Sequence, residues 1–200
     1  MPITINGSGT VTGISAGGLP DSCITTDDIA ASAITRAKMG YAGAILQVVQ
    51  TVKSDAFSTS AAQSTPATIT GLSATITPQA ANSRILVQVN FGILSSNTDS
   101  TYGILMYRNG TRIAFGDAAG SRLQSTIAGG YGTAGASWRG SSNSIQYVDS
   151  PATISACTYT FAYGGNGSAI VYLNMDGRNT DAPNDSERTI TTLILMEVAG

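Results

Sequence analysis

The stretch RILVQVNFGI, residues 84–93, decides how this chain folds. Ile85, Val87, Val89, Phe91 and Ile93 take every second place, with Arg84, Gln88 and Asn90 between them and Leu86 as the one exception. Successive side chains of a strand point to opposite faces, so this spacing sets one face on a core and the other toward water. A helix would need apolar residues at i, i+3, i+4 and i+7, which the stretch lacks.

The same pattern extends in both directions. Cys157, Tyr159, Phe161 and Tyr163 alternate with Ala156, Thr158, Thr160 and Ala162. Residues 45–53 (ILQVVQTVK) are β-branched and apolar, and 69–78 alternates through Leu72, Ala74 and Ile76. Residues 104–108 and 112–115 read as a hairpin joined by Asn109-Gly110, the dipeptide favoured where both turn residues need positive φ. The turn at 164–167 leads into 169–175, and 190–198 is a nearly continuous apolar strand expected at the centre of a sheet. The stretches 116–143 and 176–188 are rich in Gly, Ser and Asp and read as exposed loops. Eight or so strands at short intervals, with no long helix, predict an all-β protein whose residues 41–200 form a C-terminal jelly-roll β-sandwich head.

Residues 1–40 have another character. Ile14, Leu19, Ile24, Ile29, Ile34 and Met39 recur every five residues, and the intervening tetrads (SAGG, PDSC, TTDD, AASA, TRAK) are small or polar. In a flat strand an odd period sends successive apolar side chains to opposite faces, so one copy cannot bury the row. Three copies wound about a common axis can, and each side chain so buried contributes roughly 1.5–3 kcal/mol. The expectation is an extended, intertwined trimeric N-terminal stem with those six residues as its core; a flexible linker with accidental spacing is the alternative. A short helical turn near 27–38, capped by Thr25, Thr26 or Asp27, is compatible with either.

Composition narrows the function. Of 200 residues 11% are charged, well below the roughly 25% of soluble domains, so Ser, Thr, Asn, Gln and Gly must cover the surface. Ten scattered basic residues and a net charge of -2 offer nothing to grip phosphates, so no nucleic-acid partner is expected. No apolar run approaches the roughly 20 residues that cross a bilayer, so no membrane insertion is expected. The opening MPIT lacks a basic region followed by an apolar block, which suits assembly in a host cytoplasm. Cys23 and Cys157 are either a disulfide or two small buried apolar side chains; two thiols make no disulfide framework.

The chain has no histidine, which excludes Ser-His-Asp and Cys-His nucleophiles and any His-containing zinc site, and two cysteines cannot complete a four-thiolate one. Glu187 and Glu197 are the two glutamates, and the aspartates fall mostly in apparent turns, where they cap backbone N–H groups. The segment from Asp176 to Glu187 fails as a calcium loop at Arg178, Thr180 and Asp181, and GGYGTAG at 129–135 matches no phosphate-binding loop. The expectation is no catalytic residue, no metal, no cofactor and no enzyme activity. Tyr131, Trp138 and Arg139 are candidates for receptor contact, since an exposed aromatic stacks on a sugar or anchors a protein; the alternative is a Trp packed beneath its own loop.

INGSGTVTGI at 5–14 with GGLPD at 17–21 resembles the N-termini of small tail-fibre-like proteins from phages of aquatic bacteria, including cyanophages. IAASAITRAK at 29–38 is similar to their stem repeats, and YVDSP at 147–151, YLN at 172–174 and LMEV at 195–198 look like parts of their heads. The resemblance spans most of the chain through short motifs. It implies a homotrimer with a head similar to trimeric jelly rolls of the tumour-necrosis-factor type, and it marks no binding residue. The expected function is a virion tail fibre or appendage, held through residues 1–40 by a baseplate, tail or capsid protein and presenting its head to a host-surface glycan or protein. A capsid decoration (cement) protein and a glycan-degrading tailspike are the competing expectations.

Overall fold

The computed structural model describes residues 27, 29–30, 33, 43–131, 140–178, 180–181 and 186–200, and of Tyr131 only its backbone. The chain divides into two units, 1–40 and 41–200. In the first, Ile29 is 40% exposed and the Ala33 N–H donates to the Ala30 carbonyl at 2.9 Å. Ile14, Leu19, Ile24, Ile34, Met39 and Cys23 lie outside the described residues.

The second unit is an all-β sandwich of β1 (Ile45–Lys53), β2 (Phe57–Thr59), β3 (Ala67–Ile76), β4 (Arg84–Ser96), β5 (Ser100–Arg108), β6 (Thr111–Ile113), β7 (Ile127–Tyr131), β8 (Ser141–Asp149), β9 (Cys157–Gly164), β10 (Val171–Leu173) and β11 (Thr191–Val198). Every strand pairing is antiparallel. Leu94 pairs with Leu173 on one side and Ser141 on the other, so β10 continues the line of β11 along one edge of β4 while β8 takes the opposite edge. The first sheet therefore reads β1/β2, β11/β10, β4, β8 from side to side. The second reads β3, β9, β5, and then β6 and β7 end to end along the far edge of β5. With short strands merged in this way, the chain order across the two sheets is that of a jelly roll.

Two-residue periodicity builds the core. Ile85, Val87, Val89 and Phe91 from β4 are at most 2% exposed, and Cys157, Tyr159, Phe161 and Tyr163 from β9 are fully buried. Phe91 and Phe161 meet edge to face across the sandwich, 5.7 Å between ring centres, the arrangement aromatic quadrupoles prefer. As expected, β11 lies inside its sheet, between β1 and β4. The Asn109-Gly110 hairpin also forms, with φ of 49° and 79°.

Three expectations need correction. Ile93 does not point inward; the β4–β8 register shifts between Phe91 and Leu94, and fully buried Leu94 takes the core position instead. Gly92 sits at this shift because a Cβ there would collide with the Asn174 Oδ1 and Thr189 Oγ1 atoms. The stretch 116–143 is not wholly loop, since β7 and the start of β8 lie within it. Its Gly129 is required by packing, because a Cβ would stand 2.5 Å from the Tyr102 hydroxyl oxygen. In 176–188, Asp176 is buried and accepts a hydrogen bond from Ser186 Oγ at 3.1 Å.

Candidate functional site: the loop face opposite the incoming chain

The two ends of the sandwich differ in what they carry. At one end the chain comes in beside β11: Gly43 N–H donates to the Ala199 carbonyl at 2.9 Å and Ala199 N–H to the Ala44 carbonyl at 2.8 Å. The Asn109-Gly110 turn and the loops 77–83 and 150–156 share this end, because β4 and β9 start here while β3, β5 and β8 finish here. Opposite lie loops 60–66, 97–99 and 165–170, together with the end of β7 at Tyr131 and the start of β8 at Ser141.

Those three loops are locked to one another. Gln63 N–H donates to the Gly165 carbonyl at 2.7 Å, and Gly165 N–H returns to the Ala61 carbonyl at 2.9 Å. Asn97 N–H donates to the Ile170 carbonyl at 3.1 Å, while Asn97 Oδ1 accepts from Ile170 N–H at 2.9 Å. Asn166 Oδ1 accepts from Ser168 N–H at 3.0 Å, the local turn that asparagine side chains form. Gly164 permits the close backbone approach, since a Cβ would stand 2.7 Å from the Ala62 carbonyl oxygen.

The exposed polar side chains are Ser60, Ser64, Thr65, Asn97, Thr98, Asp99, Asn166 and Ser168 around Ile170. Asp99 is the one charged residue of the three loops. Amides and hydroxyls on a fixed backbone suit a neutral, hydrogen-bonding partner more than a phosphate or a cation. β7 runs to the same end, its last residue Tyr131 paired with Ser100. Trp138 and Arg139 lie outside the described residues, so of the three receptor-contact candidates only the Tyr131 backbone is placed at this end.

Elsewhere the buried acidic groups Asp149, Asp176 and Glu197 hold the fold. Asp149, 5% exposed, accepts from Arg108 Nη1 at 2.7 and 2.6 Å and from the Tyr159 hydroxyl at 2.7 Å. It thereby ties β8 of one sheet to β5 and β9 of the other. Burial, and then donation to this carboxylate, pushes the Tyr159 phenol well above its ordinary value. Burial likewise raises the Cys157 thiol, which favours the unreactive protonated form; Cys157 is a free thiol in the core. Buried Glu197 accepts from Gln47 Nε2 at 2.6 Å and from Gln79 N–H at 2.7 Å. Among the described residues no three His, Cys, Asp or Glu side chains stand together as metal ligands. No protein-family model matches the chain, and no curated protein matches it either.

Proposed function

We propose that this protein is a non-enzymatic structural component of a bacteriophage particle, a trimeric fibre whose N-terminal residues 1–40 attach it to another virion protein and whose head binds the host surface. The observation that carries this reading is the polarity of the head. The chain comes in at one end, and the interlocked amide- and hydroxyl-bearing loops stand at the other, where a tethered head meets a surface. Contact residues on loops carried by a rigid scaffold are the usual arrangement for recognition. Three heads per fibre convert weak single contacts into avid binding. The low charge, the resemblance of residues 5–21 to the N-termini of tail-fibre-like proteins and that of residues 29–38 to their stem repeats support the same assignment.

Immunogold labelling of particles that carry the protein tests the placement. Label at the tail or its fibres is expected, and label spread over the head shell overturns the fibre assignment in favour of a decoration protein. Incubation with host polysaccharide tests the chemistry: binding without cleavage is expected, and release of oligosaccharides overturns the non-enzymatic reading.

A further inference from the structure

Two Asn-Gly pairs fall among the described residues, 109–110 and 166–167, and both are exposed to water. A glycine after asparagine leaves the next backbone nitrogen uncrowded, so that nitrogen can attack the side-chain amide carbon. The two pairs are held in opposite ways. Asn109 Oδ1 accepts from Thr158 N–H at 2.7 Å, and its Nδ2 donates to the Ala156 carbonyl at 3.2 Å. Both ends of that carboxamide are tied to residues 156–158 rather than to its own turn. Asn166 Oδ1 instead accepts from Ser168 N–H at 3.0 Å, which folds the carboxamide back over the intervening Gly167 peptide. Asn166 Nδ2 has no hydrogen-bond partner among the described residues. Gly167 has a φ of 86°, and the nearest atom to a Cβ built there is the Ala62 Cβ at 3.5 Å.

We propose that Asn166 is a self-modifying site, deamidated through attack by the Gly167 backbone nitrogen, and that the fold protects Asn109 from the same reaction. Hydroxide takes the proton from the Gly167 nitrogen, which then bonds to Asn166 Cγ. The Cγ–Nδ2 bond breaks, and Nδ2 leaves as ammonia, taking its third proton from water. Water next opens the cyclic imide at either carbonyl, giving an aspartate at 166 or an isoaspartyl link. The turn assists the first step twice. It keeps nucleophile and amide carbon together, which removes the entropy cost of bringing them into line. It also aims Ser168 N–H at the oxygen on which negative charge develops, and a donor already in place there lowers the barrier. Either product sets a new carboxylate in loops whose one charge is Asp99. On the function proposed above, the binding face therefore turns more acidic with age; the modification itself does not depend on that function.

The test incubates the full-length protein in mildly alkaline buffer, folded or unfolded in guanidinium chloride, and follows both pairs by peptide-mapping mass spectrometry. The amide-to-acid mass gain is read separately in the peptides carrying Asn166 and Asn109. In the folded protein, conversion at Asn166 is expected to run at least tenfold faster than at Asn109, and no slower than at Asn166 in the denaturant. Unfolding should bring the two rates together, because both are then plain Asn-Gly pairs. A smaller ratio in the folded protein overturns the proposal. Slower conversion of Asn166 in the folded protein than in the denaturant overturns it too, since the turn then shields the amide rather than presenting it.

Discussion

Asp149 ties the two sheets together, because its carboxylate holds the Arg108 guanidinium and the buried Tyr159 phenol. Replacing it by alanine strands both partners. Breaking a buried charge pair from one side costs about 3–5 kcal/mol, and the Arg108 side chain, 25% exposed, recovers some solvation, so Asp149→Ala is expected to lower unfolding free energy by about 3 kcal/mol in urea titration. Tyr159 adds a pH signature. Its phenol and the Cys157 thiol are both raised above their ordinary values of 10.0 and 9.0, so the folded state keeps protons that the unfolded chain releases. Their contribution is whole below about pH 9 and is lost as pH climbs through and beyond the unfolded values. Unfolding midpoints should therefore fall steeply above pH 10, and Tyr159→Phe should reduce that slope; an unchanged slope would contradict the role given to the phenol.

At the scale of elements, β7 shows what sequence patterns miss. Its IAGGY contains two glycines, which weaken strand propensity, and the stretch reads as loop. Gly129 is there because Tyr102 occupies the space of its Cβ, whereas the nearest atom to a Cβ at Gly130 is the Ser100 carbonyl oxygen at 3.6 Å. Gly129→Ala should cost about 1–3 kcal/mol through overpacking, and Gly130→Ala should stay within about 1 kcal/mol; thermal melts of the two variants compare them directly. By contrast β1, β4, β9, β11 and the Asn109-Gly110 turn were legible, since local alternation and turn chemistry specify them. Ile93 was misplaced because a register shift depends on the partner strand. The locked loops were illegible for the same reason: Ala61 to Gly165 and Asn97 to Ile170 are bonds between segments distant in sequence.

At the largest scale, one polarity runs through residues 41–200. Residues 43–44 bind at one end of the sandwich, and the locked loops occupy the other. The proposed trimer rests on the five-residue apolar period of residues 14–39. Light scattering on the full-length protein at micromolar concentration tests this most directly. The expected mass is three times the 20.4 kDa of one chain, and the mass of a single chain would contradict the account.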